Sequence, residues 1–143
     1  MKSINPYLNF PGNTEEAFNF YKKNFGGDFL GGIFRFDGTP GSENLSAEDK
    51  QKIMHIALPI GPNNMIMATD ALESMGFKVT TGNSIHLQIY AESKEEADKL
   101  FNGLAECGQI DMPIGDQFWG DYFGSLTDKF GVKWMIVFTN PKQ

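Results

Sequence analysis

Three side chains of this sequence have the chemistry of catalytic groups: two histidines, His55 and His86, and a single cysteine, Cys107. An imidazole ordinarily titrates near neutral pH, so His55 and His86 are the candidates for a general acid or base. A cysteine nucleophile needs an activating base, and neither histidine lies near Cys107 in the sequence. A lone cysteine also excludes an internal disulfide and a cysteine-based zinc site. The candidate catalytic residues are therefore the two histidines.

His55 lies in a segment whose side chains alternate between two faces. The alternation places His55 and Ala57 on the face opposite Ile56 and Leu58. Two interpretations of this position stay open: a general base, or a histidine held by hydrogen bonds within a sheet.

His86 belongs to a polar stripe on another alternating segment. His86, Gln88 and Tyr90 share one side, whereas Ile85 and Ile89 belong to the apolar side. The polar side either orients a ligand or faces solvent or a second copy of the chain.

An aromatic segment, Phe118-Trp119-Gly120, precedes Phe123. Aromatic rings bind planar or cationic ligands through contacts worth about 0.5–2 kcal/mol each. The segment is either a lid over a ligand, lined by Trp119 and Phe123, or the edge of a hydrophobic core.

The elements that must position these side chains come from an internal repeat. Residues 14–17, Thr-Glu-Glu-Ala, recur in the second half as residues 94–97, Lys-Glu-Glu-Ala. Each copy follows a cap-type residue, Asn13 or Ser93, with a glutamate three positions after it. This is the spacing of a capping box, which predicts a helix start at each copy.

Both capping boxes begin helical patterns, the first ending at Gly26-Gly27 and the second at Gly108. An alternating, strand-like segment precedes each helix and three more follow it. These segments are residues 4–10, 29–36, 53–60 and 65–69 in the first half, and 84–90, 110–113, 122–126 and 132–138 in the second.

The pattern βαβββ therefore occurs twice. It predicts an α+β fold in which two βαβββ modules in tandem form a curled mixed sheet around a cavity. We expect a single domain over residues 1–143, with modules of about 1–75 and 80–143 joined by residues 71–82. The polar residues 42–52 are expected to form a loop, with one helical turn at most.

The composition excludes several classes of partner. Hydrophobic residues make up 41% of the chain, enough for a buried core, and 12 basic against 18 acidic residues give a net charge of −6. An acidic chain without a basic stripe repels nucleic acid and anionic membrane surfaces. The N-terminus lacks the apolar segment of a signal peptide, so a cytoplasmic protein is expected.

Four local motifs carry a resemblance to known proteins: residues 4–10, 16–21, 118–124 and 127–135. With the repeated βαβββ pattern, they make the chain similar to the vicinal oxygen chelate superfamily, which includes glyoxalase I, extradiol dioxygenases and the bleomycin-binding proteins. Within it, the motifs resemble the PhnB-like proteins. The resemblance implies a glyoxalase-like fold over essentially the whole chain, and it implies no single activity.

Enzymes of this superfamily usually hold a divalent metal with four side chains. The resemblance carries these positions onto Asn5, Met67, Ser84 and Met135, with His86 as the alternative to Ser84. Thioether, amide and hydroxyl groups are poor ligands for such metals, and three protein ligands are the usual minimum of a catalytic site. We therefore expect no metal and no other cofactor.

The first hypothesis is a metal-independent, small-molecule-binding protein of the glyoxalase/bleomycin-resistance type. The expected ligand-binding residues lie on the polar faces, at the carried-over metal positions or around the aromatic segment: Asn5, Tyr7, His55, Met67, Ser84, His86, Gln88, Trp119, Phe123 and Met135.

The alternative is a lyase, isomerase or oxygenase that uses His86 or His55, with or without a metal. A third possibility is an interaction protein with a vestigial cavity. A homodimer is expected in each case, since superfamily modules commonly complete their cavities across subunits.

Overall fold

The computed structural model describes residues 1–141. The chain divides into two compact units, Met1–Thr80 and the residues from Thr81 onward. Each unit contains a strand, a long helix and three more strands in that order, and the first unit has an additional short helix between its second and third strands.

The first unit is a four-stranded mixed sheet with one long helix. Its elements are β1 (Tyr7–Phe10), α1 (Thr14–Phe25), β2 (Phe34–Arg35), α2 (Ala47–Lys50), β3 (Ile53–Ile60) and β4 (Asn64–Asp70). The strand order is β1-β4-β3-β2, in which β1 is parallel to β4 and the other pairs are antiparallel. A 3₁₀ turn, Glu73–Met75, follows β4.

The second unit repeats this topology. Its elements are β5 (Leu87–Tyr90), α3 (Lys94–Ala105), β6 (Gln109–Asp116), β7 (Asp121–Thr127) and β8 (Lys133–Thr139). The order β5-β8-β7-β6, again with one parallel pair at β5–β8, corresponds strand for strand to the first sheet. The predicted α+β fold with tandem βαβββ modules is confirmed.

In both units, one face of the sheet packs against the long helix and forms the core. In the first unit, Phe18 and Tyr21 of α1 are fully buried, as are Ile56 and Leu58 of β3. We call the opposite side of each sheet its open face. By the alternation of side chains along a strand, the open face of the first sheet carries Tyr7, Asn9, Phe34, His55, Met67 and Thr69.

In the second unit, the helix approaches the sheet closely at a glycine. Phe101 of α3 packs over Gly124 of β7, where an added Cβ would lie 2.8 Å from the Phe101 ring and 2.7 Å from Ile114 Cα. Trp134 and Ile136 of β8 complete the buried layer. The missing side chain at Gly124 is therefore what allows α3 to pack on this sheet.

The start of α1 is capped differently from the sequence prediction. Asn13 makes no side-chain cap hydrogen bond, so the prediction of a capping box at Asn13 is wrong. Instead Asp70, at the end of β4, accepts hydrogen bonds from Thr14 N at 3.0 Å and Thr14 Oγ1 at 2.6 Å. Its second oxygen accepts from Ile53 N at 2.8 Å. A buried carboxylate remote in sequence therefore replaces the local cap.

The second capping box is confirmed in its main contact. Ser93 Oγ accepts a hydrogen bond from Glu96 N at 3.0 Å. The Glu96 carboxylate reaches back to Glu92 N, one residue earlier than a capping box requires.

One predicted strand is largely absent. Of residues 29–36, only Phe34 and Arg35 form a strand. Gly31 and Gly32 adopt positive φ values of 73° and 85°, a conformation that interrupts an extended chain. The other predicted strands that follow the helices match the structure to within three residues, and 53–60 matches β3 at both ends.

The strand predicted for residues 84–90 is shorter at its start. β5 begins at Leu87, so Ile85 is not on a buried face and is 74% exposed. The single helical turn allowed for residues 42–52 is present as α2.

In the part of the chain that the structure describes, no helix has the length and apolar character needed to cross a bilayer.

Candidate ligand-binding site

The open face of the first sheet carries a hydrogen-bonded pair of aromatic side chains. Tyr7 Oη and His55 Nδ1 are 3.0 Å apart, and the ring centroids are 5.7 Å apart with a tilt of 31°. Which atom donates is set by the tautomer of His55. The pair therefore places two aromatic rings and a hydrogen bond between their polar groups together on this face.

Tyr7 and His55 come from strands that are not neighbours. β4 lies between β1 and β3, and strands are spaced about 4.8 Å apart, so the tyrosine must extend across β4 to reach the histidine. The register explains how this is possible: Tyr7 lies opposite Met67, which lies opposite Ala57. A flexible methionine and a small alanine leave room for the tyrosine ring.

Phe34 contacts the other side of His55. It is the cross-strand partner of His55 in β2, with ring centroids 6.1 Å apart and a tilt of 43°. Within residues 1–141 no hydrogen bond reaches His55 Nε2. The histidine thus has aromatic rings on two sides and one nitrogen bonded to Tyr7.

Tyr7 provides this face with a protonated hydroxyl group. Partial burial raises the pKa of Tyr7 above the ordinary value of a tyrosine, so its hydroxyl stays protonated at neutral pH and can donate a hydrogen bond. The side chains around the pair are uncharged: Asn9, Phe34, Met67 and Thr69.

On the open face of the second sheet, Gln88, Met135 and Ser125 lie side by side on β5, β8 and β7. Phe123 lies in the next row, and the Trp119 ring packs against it with centroids 5.9 Å apart. Trp119 Nε1 donates to Asp121 Oδ2 at 3.0 Å, which fixes the indole ring.

His86 lies just before β5, at the end of this face that holds a charged cluster. Asp111 Oδ2 accepts hydrogen bonds from Thr127 Oγ1 at 2.8 Å and from Lys133 Nζ at 3.3 Å. The Thr127 hydrogen bond, and then Lys133 and His86, lower the pKa of Asp111 below its usual range. Asp111 is therefore an anion near His86 at neutral pH.

The structure brings some predicted site residues together and separates others. The first open face unites Tyr7, His55 and Met67, and the second unites Gln88, Met135, Phe123 and Trp119. Asn5 is engaged with the backbone instead, because its Oδ1 accepts from Met65 N at 3.2 Å. Ser84 is exposed and lies outside β5.

Phe34 and Thr69 were missed by the sequence reasoning. Phe34 lay inside the predicted strand 29–36, but the glycines before it hide the alternation that would assign it a face. Thr69 follows Met67 on β4 and lies opposite Asn9, so alternation from Met67 was the available signal.

The strand register also revises the carried-over metal positions. Gln88 lies opposite Met135 as Tyr7 lies opposite Met67, so Gln88 corresponds to Tyr7. His86 lies two residues before Gln88 as Asn5 lies two residues before Tyr7, so His86, and not Ser84, corresponds to Asn5. The resulting donor set of Asn5, Met67, His86 and Met135 does not fit a divalent metal, because only the imidazole is a conventional ligand. Within residues 1–141, no three His, Cys, Asp or Glu side chains are grouped so that they could hold a metal ion.

The sequence model of the Glyoxalase/Bleomycin resistance protein/Dioxygenase superfamily matches residues 3–136. The chain belongs to this superfamily. Protein YjdN of Escherichia coli (strain K12) is 35% identical over 141 residues, which cover 93% of this chain and 92% of that protein. The superfamily thus accounts for almost the whole chain.

Two solved structures are similar to this chain in sequence and fold over nearly their whole length. Protein PA1353 from Pseudomonas aeruginosa is 37% identical, with a TM-score of 0.83 over 97% of this chain and 98% of that one. A protein from Bacillus cereus, described as a putative 3-demethylubiquinone-9 3-methyltransferase, PhnB protein, is 29% identical. Its TM-score is 0.76 over 96% of this chain and 99% of its own. The structural neighbours therefore include a PhnB protein, in line with the subgroup that the motifs resemble.

Proposed function

We propose that this superfamily member is a metal-independent small-molecule-binding protein whose ligand contacts the open face of the first sheet. The observation that carries the proposal is the Tyr7–His55 pair, flanked by Phe34. A sheet face that only met water would gain nothing from aromatic side chains held in fixed positions. Binding sites, in contrast, combine apolar surface with a few well-placed polar groups.

The chemistry of this face favours a planar ligand that carries oxygen. The rings of Tyr7, His55 and Phe34 offer stacking and edge contacts, and Met67 offers an adaptable apolar contact. His55 Nε2 offers one further hydrogen bond, to an oxygen of the ligand. A phenol or an aromatic carboxylate meets both requirements.

Four further expectations belong to the proposal. Independence from metal is supported by the donor set of Asn5, Met67, His86 and Met135. Action in the cytoplasm stays an expectation from the sequence, and assembly as a homodimer is supported by the family resemblance. The residues of the second open face, including Gln88, Phe123, Trp119 and Met135, are proposed to contact ligand as well.

The test uses 4-hydroxybenzoate as the probe and p-cresol as the analogue without a carboxylate. Bleomycin is tested as well, because it appears in the name of the superfamily. Thermal shift and two-dimensional NMR of the ¹⁵N-labelled protein report binding, and elemental analysis of untagged protein reports metal. We expect 4-hydroxybenzoate to shift the signals of His55 and of the strands around it. Loss of binding on removal of a stoichiometric metal would contradict the proposal.

Two matched variants test the site itself. Tyr7→Phe removes the hydroxyl that bonds His55, and Tyr122→Phe removes a hydroxyl that bonds Asp98 of α3 on the other side of the second sheet. We expect Tyr7→Phe to weaken binding of 4-hydroxybenzoate about 3- to 10-fold, the value of one hydrogen bond, and Tyr122→Phe to leave it unchanged. Equal effects of the two variants would place the ligand elsewhere.

One observation favours a second candidate function, an enzyme with His55 as general acid or base. Its Nδ1 is bonded to Tyr7 and its Nε2 is unbonded within the described residues, the arrangement in which one nitrogen orients the ring and the other exchanges a proton. Mass spectrometry of 4-hydroxybenzoate and p-cresol after incubation distinguishes the two functions. Turnover that His55→Gln abolishes while binding survives would favour the enzyme.

A further inference from the structure

Strand β2 is only two residues long, and its two side chains lie on opposite sides of the sheet. Phe34 lies on the open face against His55, whereas the Arg35 side chain extends to α1 on the other side of the sheet. The register shifts between them, with Phe34 opposite His55 and Arg35 opposite Ile53. The orientation of Phe34 is therefore coupled to the anchoring of its neighbour.

Arg35, the only arginine of the sequence, makes three hydrogen bonds at this point. Its Nη1 and Nη2 donate to the two carboxylate oxygens of Glu15 on α1, at 3.2 and 2.8 Å. Nη1 also donates to the Gln51 carbonyl at 2.7 Å, just before β3 begins. A planar guanidinium forms such a fork with defined geometry, which a lysine cannot reproduce.

The neighbouring backbone explains why this anchor matters. Leu30 N and Phe36 N bond to the carbonyls of Ala57 and Lys52 at the two ends of the segment. Between these ends lie Gly31 and Gly32 at positive φ, and glycine by itself restricts the backbone less than any other residue type.

We propose that Arg35 is a positioning residue: its fork to Glu15 and Gln51 fixes β2 so that Phe34 stays packed against His55. The consequence for ligand binding rests on the proposed function, whereas the consequence for His55 does not. Both partners of the ion pair are partly exposed, with side-chain exposures of 32% for Arg35 and 47% for Glu15. Such pairs contribute little to global stability, so their loss should change the site more than the melting temperature.

The test measures the imidazole NMR signals of His55, which respond to the ring currents of Phe34 and Tyr7, with His86 as the internal reference. The variants are Arg35→Lys, which keeps the charge without the fork, and Glu15→Gln, which breaks the fork from the other side. The matched control is Asp28→Asn, because Asp28 forms an exposed ion pair with Lys22 at 3.1 Å in the same unit. We expect both fork variants to shift the His55 signals and Asp28→Asn to leave them in place.

The same variants are titrated with 4-hydroxybenzoate. We expect a loss of about 2- to 10-fold in affinity for the fork variants, the range that one aromatic contact contributes. Unchanged His55 signals in Glu15→Gln, or wild-type signals in Arg35→Lys, would overturn the inference whatever the binding result. If the His55 signals shift but 4-hydroxybenzoate binds to no variant and not to the unaltered protein, the positioning role stands and the proposed ligand class is wrong.

Discussion

Tyr7 and His55 form a hydrogen bond across β4, a strand to which neither residue belongs. The bond exists only when all three strands are in register, so it reports the assembly of the first sheet. At this bond, polar atoms of Tyr7 and His55 lie beside the exposed rings of Tyr7 and Phe34.

Removing the Tyr7 hydroxyl should cost a small and measurable amount of stability. We expect Tyr7→Phe to lower the free energy of unfolding by about 0.5–1 kcal/mol, since a net hydrogen bond contributes little more and Tyr7 is 45% exposed. Urea unfolding followed by circular dichroism measures the change. Tyr90→Phe is the control, because Tyr90 is 70% exposed and its hydroxyl has no hydrogen bond within the described residues. A loss as large in the control would mean that the bond to His55 contributes nothing.

Asp70→Asn should destabilise the first unit much more. Asp70 is only 3% exposed and accepts hydrogen bonds from Thr14 N, Thr14 Oγ1 and Ile53 N. An amide has one acceptor oxygen, so its NH₂ group must face one of these donors. We expect a loss of about 2–3 kcal/mol in urea unfolding, the value of hydrogen bonds to a buried charge. Asp37→Asn, at an exposed carboxylate, should change the stability by less than about 0.5 kcal/mol. Similar values for the two variants would contradict the role of Asp70.

Gly124→Ala should destabilise the second unit by overpacking. The added methyl group would lie 2.7 Å from Ile114 Cα and 2.8 Å from the Phe101 ring, so both α3 and the neighbouring part of β6 must shift. We expect a loss of about 1–3 kcal/mol. Gly115→Ala is the matched control, since its Cβ would meet no atom within 4 Å and its φ is not positive. A tolerated Gly124→Ala would show that α3 does not pack as closely as described.

Tyr122 should make stability depend on alkaline pH. Its hydrogen bond to Asp98, with burial and the charges of Asp98 and Asp116, raises the pKa of Tyr122 to about 12. An unfolded tyrosine titrates near pH ~10, so between these values the unfolded chain loses a proton that the folded protein keeps. The stability that Tyr122 contributes is therefore complete below pH ~10 and is lost as the pH rises to about 12. The stability difference between the unaltered protein and Tyr122→Phe should shrink over that range, and a constant difference would contradict the assignment.

The sequence predicts the parts of this fold that depend on neighbouring residues. The alternation in residues 53–60 predicts β3 at both ends, because Ile56 and Leu58 are apolar and lie in the core while His55 lies on the open face. The repeated Glu-Glu-Ala segments locate both helices, since helix starts are encoded within one turn. His55 was placed on the correct face for the same reason.

The parts that were wrong or missed depend on residues far apart in the chain. Asn13 has the chemistry of a cap, but Asp70 takes that role. Asp70 is remote from Thr14 in the sequence, so no local pattern predicts this contact. Likewise, the Tyr7–His55 bond and the contact of Phe34 with His55 follow from strand order and register. The positive φ of Gly31 and Gly32 limits β2 to Phe34 and Arg35, the two residues that pair with β3.

The contacts of Asp70 have a consequence for how the first unit comes apart. One carboxylate holds the first amide of α1 and the first amide of β3, so releasing either segment alone would leave a buried anion short of a donor. Helix and sheet are thereby tied into one cooperative unit of opening. The amides of Thr14 and Ile53, which belong to different elements, should exchange with deuterated solvent at a common rate set by that single event.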